Sequence, residues 1–125
     1  MIKKISLSGI WVSDQDKSLE FFVDKLGFDV QRDTTMGDYR WIEVIPPGAE
    51  TGITLAKPYP GQENVTIGGF TNIIFSTDNL DATYEELKSN GVNFTQEPAM
   101  QDYGIKQAMF TDPDGNVFLL VERDD

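Results

Sequence analysis

The sequence of 125 residues contains neither cysteine nor histidine. The lack of cysteine excludes disulfides, thiolate metal ligands and a cysteine nucleophile. The lack of histidine removes the usual imidazole base and excludes a Ser-His-Asp arrangement. Acid–base chemistry in this chain would therefore fall to Asp, Glu, Tyr or Lys.

Basic residues are also scarce, because 10 Lys and Arg stand against 21 Asp and Glu and give a formal net charge of −11. Phosphate binding needs a basic surface, so we expect no nucleic-acid partner and no association with anionic membranes. No apolar run approaches the roughly 20 residues that span a bilayer, and the start Met1–Lys4 lacks the apolar segment of a secretory signal. The sequence predicts a cytoplasmic protein that would tolerate a cationic ligand.

What the chain does contain is a near-repetition of itself. Residues 5–28 and 71–92 have the same pattern: a strand, an acidic helix cap, a short helix, and a glycine followed by a hydrophobic residue. A repeat of about half the chain predicts a single domain, 1–125, built from two similar modules. We place the modules at about 1–57 and 70–125, with a Pro- and Gly-rich linker at about 58–69.

Each module carries one amphipathic helix. The first has an apolar stripe with helical spacing, formed by Leu19, Phe22, Val23 and Leu26. The second has the shorter stripe Leu80, Tyr84 and Leu87. Candidate caps at the N-terminal ends are Ser13 or Asp14 and then Asp78 or Asn79, whereas Gly27 and Gly91 end the helices.

Four strands surround each predicted helix. In the first module they are 5–12, 28–30, 39–45 and 52–56, and in the second 71–77, 92–94, 106–111 and 116–122. The order in both modules is βαβββ, and the fold class is α+β. Alternation directs one set of side chains toward the helix and leaves a second, still apolar face open. Another sheet, a second subunit or a ligand must cover that face.

Two segments carry a family resemblance. The start, with Ile10–Asp14, Ser18–Phe22 and Leu26–Phe28, and the end, with Phe110–Asn116 before an apolar strand, resemble the vicinal oxygen chelate superfamily. That superfamily includes glyoxalase I, extradiol dioxygenases, fosfomycin resistance enzymes and bleomycin resistance proteins. The resemblance implies two βαβββ modules that form a cup-shaped mixed sheet, usually within a homodimer.

Metal-using members of that superfamily place ligands on the first and last strands of each module. The resemblance aligns those positions with Leu7, Thr54, Asn72 and Leu119. Leucine has no donor atom, and neutral Thr and Asn are poor ligands for Zn, Ni or Fe. We therefore expect no metal and no other cofactor.

Glu43 is the one carboxylate that alternation places on the open face, next to Trp41. In an apolar cup its pKa could be raised, and it could act as a base. Alternatively, Glu43 is solvated or paired with Arg40 or Lys106. Another acidic group, at 112–116, offers clustered oxygens, but its Pro and Gly indicate a tight turn rather than a calcium loop.

The other open-face residues form a candidate ligand pocket with aromatic walls and a few polar groups. Its residues are Leu7, Trp11, Trp41, Thr54, Asn72, Ile74, Gln107, Met109 and Leu119. Alternatively, the same side chains simply fill the cup. Two loops, Thr34–Asp38 and Gln101–Gly104, could lie at its mouth, where Tyr39 and Tyr103 would stack on a flat ligand or pack on the surface.

These observations predict a metal-independent protein that binds a small molecule, resembles the sequestering members and forms a homodimer. The alternative is an enzyme: a glyoxalase-like lyase or isomerase with Glu43 as base, or a divergent metalloenzyme with Glu43 as ligand. A third interpretation is a protein whose cup is packed shut, in which case no small molecule would stabilise it.

Overall fold

The computed structural model describes residues 1–124, which form eight strands and two helices. The first half contains β1 (Leu7–Trp11), α1 (Gln15–Glu20, continued as a π-helix over Phe21–Lys25), β2 (Asp29–Met36), β3 (Tyr39–Ile45) and β4 (Gly52–Ala56). The second half contains β5 (Gly69–Thr77), α2 (Leu80–Ser89), β6 (Asn93–Met100), β7 (Lys106–Thr111) and β8 (Asn116–Glu122).

The chain divides into two compact units, with the boundary between Ile67 and Gly68. The first unit has a four-stranded sheet with the order β1-β4-β3-β2, and the second has β5-β8-β7-β6. In each sheet the first pair is parallel and the others are antiparallel. Both units are therefore βαβββ modules with mixed sheets, which confirms the predicted fold class. The single domain and its linker stay predictions.

Side-chain caps begin both helices. Asp14 accepts hydrogen bonds from the backbone N–H groups of Asp16 (3.0 Å) and Lys17 (3.1 Å), and Asn79 accepts one from Ala82 N (3.1 Å). These side chains satisfy amide donors that have no partner within the helix. One of the two candidate caps proposed for each helix is thus confirmed.

The apolar stripe predicted for the first helix is only partly confirmed. Ser18, Phe21 and Phe22 are buried, whereas the predicted Leu19, Val23 and Leu26 are half-buried. The reason is the change to a π-helix at Phe21, because its wider turn shifts which side chains face the sheet. In α2 the predicted stripe of Leu80, Tyr84 and Leu87 is buried, as expected.

Strands β3, β4, β7 and β8 have the predicted bounds. In contrast, β2 and β6 extend well beyond the predicted three residues. The loop predicted at Thr34–Asp38 is wrong, because Thr34–Met36 pairs with β3 and only Gly37 and Asp38 form the turn. The predicted Gln101–Gly104 segment does lie outside the strands.

The helix side of each sheet contains the buried core. In the first unit its members are Ile10, Val12, Ile42, Val44, Ile53 and Leu55, and in the second Ala108, Phe110, Phe118 and Leu120. The opposite, open face of each sheet is mostly half-buried or exposed, although Gly52, Gln107 and Val121 on it are buried. No helix among residues 1–124 is long and apolar enough to cross a membrane.

Candidate functional site

A polar row crosses the open face of the first unit. Gly9 on β1 pairs with Thr54 on β4, Thr54 pairs with Glu43 on β3, and Glu43 pairs with Arg32 on β2. Directly opposed residues of neighbouring strands place their side chains on the same face. A Cβ atom added at Gly9 would lie 2.7 Å from Thr54 Oγ1. Glycine therefore leaves room on the floor of this face.

Aromatic rings form a wall beside that row. The rings of Tyr39 and Trp41 have centroids 6.4 Å apart, and the rings of Tyr39 and Tyr59 meet edge to face at 5.4 Å. Tyr59 reaches the wall from the segment after β4, between two prolines. Trp11, the other tryptophan of the sequence, lies on a neighbouring part of the face.

A cavity of about 210 Å³ at this wall is lined by Tyr39 and Tyr59 together with Asp38, Arg40 and Lys57. Two further cavities, a smaller and a larger one, contact Trp41. The smaller has a volume of about 340 Å³ and is lined by Gly9, Ile10, Trp11, Tyr39, Trp41, Thr54, Ala56 and Tyr59. The larger has a volume of about 630 Å³ and is lined by Met36, Asp38, Tyr39, Trp41, Tyr59 and Pro60. Cavities of this size, with mostly apolar walls and few polar groups, are typical of small-molecule sites.

Glu43 lies beside these cavities rather than in their lining. Its carboxylate is half-buried, and Oε2 accepts a hydrogen bond of 2.6 Å from the indole Nε1 of Trp41. The predicted alternative pairing with Arg40 or Lys106 is wrong, because those cations bind other carboxylates. The structure therefore assigns Glu43 an indole partner instead of a cationic one.

Arg40 lies on the helix side and joins three elements. Its Nη1 contacts Asp16 Oδ1 of α1 at 2.7 Å, and its Nη2 contacts Asp33 Oδ2 of β2 at 2.8 Å. Hydrogen bonding to Arg40 lowers the pKa of Asp33. In the second unit Lys106 pairs with Asp81 at 2.5 Å. Both cations are thus paired with other carboxylates, and Glu43 is hydrogen-bonded to Trp41 instead.

The open face of the second unit is more apolar. Ile74, Leu119 and Met109 form a row across β5, β8 and β7. Ile74 is 55% exposed, and Phe70 on the same strand is 59% exposed. Beside this row Gln107 accepts a hydrogen bond from the hydroxyl of Tyr103 and donates one of 3.0 Å to Gln96 Oε1.

Asn72, also on β5, has the left-handed φ of 61°. It lies where the pairing of β5 with β8 shifts, between Phe70 and Ile74. Asparagine adopts this conformation more readily than most residues. The hydroxyl of neighbouring Thr71 accepts a bond from Ile73 N (3.1 Å) and donates one to Val117 O (2.7 Å), and so holds the irregular strand.

Residues 1–124 contain no group of three or more His, Cys, Asp or Glu side chains that could hold a metal ion. This agrees with the donor chemistry at the positions that the resemblance assigns to metal ligands. Leu7 and Thr54 are half-buried in the first unit, and Asn72 and Leu119 lie on β5 and β8 of the second.

The structure places the predicted ligand-binding residues in two sets. Trp11, Trp41 and Thr54 line the smaller cavity, whereas Leu7 lies outside its lining. The five predicted residues of β5, β7 and β8 lie on the second unit. Sequence reasoning missed Tyr59, although an aromatic residue between two prolines was a usable signal for a rigid wall. The close approach of Gly9 to Thr54 was not predicted from the sequence.

Comparisons with known proteins agree with this fold. The model of the Glyoxalase/Bleomycin resistance protein/Dioxygenase superfamily matches residues 4–120. The uncharacterized protein YetH of Bacillus subtilis is 40% identical over 128 residues, which cover 98% of this chain and 100% of YetH. More distant matches, at 28–29% identity, include the lactoylglutathione lyase GLX1 of Arabidopsis thaliana, of which the match covers 41%.

Two solved structures extend the comparison. A superfamily member from Sphaerobacter thermophilus has a TM-score of 0.91 and 39% identity, with 98% of both chains covered. TnmS3, an antibiotic binding protein from Streptomyces sp. CB03234, has a TM-score of 0.84 and 35% identity, with 96% of this chain and 95% of TnmS3 covered.

Proposed function

Because the chain belongs to the glyoxalase/bleomycin resistance protein/dioxygenase superfamily, we propose that it binds a small aromatic molecule without a metal ion and sequesters it. The site is the aromatic wall of the first unit with its two cavities. The observation that carries this proposal is that both tryptophans of the sequence lie at one concave apolar surface. Similarity to an antibiotic binding protein supports a binding role.

The catalytic alternative uses Glu43 as base or ligand in a lyase, an isomerase or a metalloenzyme. The distant lyase relatives favour it. The geometry gives it less support, because Glu43 is outside the lining of both cavities and bonded to Trp41. The catalytic alternative requires that the native protein convert a substrate, and that Glu43→Gln abolish this turnover while it still binds the substrate.

Replacing Trp41 by Ala should weaken the binding of planar aromatic compounds about tenfold, because a stacking surface shared by both cavities is lost. Titration calorimetry with acridine as probe measures the loss. Trp41→Phe keeps a ring and should lose less than threefold. The titration is repeated after chelation with EDTA and should be unchanged.

The proposal fails if acridine and a wider panel of planar compounds neither quench the tryptophan emission of the native protein nor release heat. It also fails in part if chelation abolishes binding, because a metal would then belong to the site. Equal binding by Trp41→Ala and the native protein would place the site elsewhere.

We also propose that the protein works as a homodimer in the cytoplasm, without nucleic-acid or membrane partners. The exposed side chains of Phe70 and Ile74 form an apolar patch on a sheet face of the second unit. Burying such a patch against a second copy gains hydrophobic free energy. The charge of −11 supports the expectation about nucleic acids and anionic membranes.

Replacing Ile74 by Lys should shift the dimer toward monomer, because burial of a charged side chain on this patch is costly. Sedimentation velocity over a concentration series measures the shift, and we expect at least a tenfold weaker association. Ile2→Lys makes the same change at a side chain that is 96% exposed outside the strands. A native protein that is monomeric throughout the series would contradict the proposal.

A further inference from the structure

We propose that the aromatic wall selects extended planar cations over neutral ring systems of the same shape, and that Glu43 sets this selectivity through the indole of Trp41. The inference rests on the proposed function and adds the chemical class of the ligand. Glu43 is here a positioning residue rather than a base, because it acts through another side chain.

The length of the trench favours an extended ligand. The two cavities share Tyr39, Trp41 and Tyr59 as common lining, so they are neighbouring parts of one trench along these rings. The two parts have volumes of about 340 and 630 Å³. A ligand of three fused rings that lies along the wall contacts both parts, whereas a single ring occupies only one.

The lining of the trench beside Trp41 carries negative charge. Asp38 is the single charged residue in the lining of the two cavities that contact Trp41. In the third cavity Lys57 and Arg40 accompany it, and Arg40 is paired with Asp16 and Asp33. Arg32 opposes Glu43 across the strands, but it lies on the exposed edge strand β2 and outside both linings. Within the described residues Arg32 makes no ion pair. Beside Trp41 the trench therefore presents one carboxylate and several ring faces to its ligand.

Trp41 provides a ring face that is suited to a cation. Its indole N–H donates to a carboxylate at 2.6 Å, which is the short distance of a charge-assisted hydrogen bond. This bond fixes the plane of the indole. A negative acceptor also polarises the donor ring and increases the negative potential at its face. Cations bind the faces of aromatic rings, and of these tryptophan binds them best.

The repeat supplies an internal comparison. The residue that pairs with Leu119 in the second unit is Met109, whereas the residue that pairs with Thr54 in the first is Glu43. A carboxylate at this place is therefore no requirement of the module. The first unit carries an acid at this place in its polar row, and the hydrogen bond to Trp41 gives that acid a role at the wall.

The test compares two probes of nearly equal shape, 9-aminoacridine, which is cationic at neutral pH, and acridine, which is neutral. We expect the native protein to bind 9-aminoacridine about tenfold more tightly. Glu43→Gln keeps a hydrogen-bond acceptor for the indole but removes the charge, and it should reduce the ratio to threefold or less. Glu50→Gln makes the same change at an exposed residue and should keep the native ratio.

Equal affinity of the native protein for both probes would overturn the selectivity while leaving binding intact. A native ratio in Glu43→Gln, or a reduced ratio in Glu50→Gln, would overturn the role of Glu43. If neither probe binds, both the inference and the proposed site fail. Glu43→Gln is accepted for the test once its unfolding curve matches that of the native protein.

Discussion

Replacing Asp112 by Ala should lower the free energy of unfolding by about 3 kcal/mol, because buried donors would lose their acceptor. Asp112 is 5% exposed. Its Oδ1 accepts hydrogen bonds from Asp114 N (3.0 Å) and Asn116 N (2.8 Å), and its Oδ2 accepts one from Asn116 Nδ2 (2.8 Å). Asn116 in turn accepts a bond of 3.0 Å from Gly68 N. The carboxylate therefore connects the β7–β8 turn to the start of the second unit.

Urea unfolding of three variants separates this network from charge. Asp112→Asn keeps an acceptor for two amides but directs its own N–H₂ group at that of Asn116. Its free energy of unfolding should therefore lie between that of the native protein and that of Asp112→Ala. Asp102→Ala removes the same charge from an exposed turn and should change stability by less than about 0.5 kcal/mol. A loss below about 1 kcal/mol for Asp112→Ala would contradict the assignment.

The same carboxyl gives the unfolding free energy a pH dependence with a definite sign. Burial raises the pKa of Asp112 against the opposing effect of its hydrogen bonds from Asn116 and Asp114. A folded carboxyl with a raised pKa binds its proton more tightly than the unfolded one. Its contribution to stability is therefore fully present below the unfolded pKa of about 3.9 and is lost as the pH rises through the folded pKa.

The sequence predicted the inner part of each module best. Strands β3, β4, β7 and β8 combine alternating apolar residues with clear turn signals, and all four have the expected bounds. Strands β2 and β6 were too short in the prediction. Both lie at sheet edges, where one side needs no partner and polar residues are common. Pro98 within β6 also resembles a strand end, although an edge strand tolerates it.

The candidate site was predicted in its residue types but not in its contacts. Alternation placed Trp41 and Glu43 on one face, and the structure shows them there. Their hydrogen bond depends on rotamers that no periodicity reports. Tyr59 joins the wall through the path of a segment without regular structure, so its position was not predictable from strand patterns. The π-helix at Phe21 likewise changed the buried face of the first helix without an obvious sequence signal.

Replacing Gly9 by Val should weaken the binding of 9-aminoacridine by about 30-fold or more, which corresponds to about 2 kcal/mol. Gly9 lines the smaller cavity, and even a Cβ atom there would lie 2.7 Å from Thr54 Oγ1. The valine side chain would therefore occupy the floor of the trench. The backbone should accept the change, because valine favours strands more than glycine does and Gly9 has no left-handed φ, but Thr54 must shift to relieve the contact.

Two further variants identify the cause of that loss. Gly9→Ala introduces the close contact with Thr54 but little volume, and adding Thr54→Ala removes the contact. If volume in the trench decides affinity, Gly9→Val combined with Thr54→Ala should still bind weakly, whereas Gly9→Ala combined with Thr54→Ala should bind nearly as the native protein does. Full binding by Gly9→Val would mean that the ligand never reaches the floor of the smaller cavity. The site would then be confined to the part lined by Met36 and Pro60. The inference that the ligand extends over both cavities would be wrong.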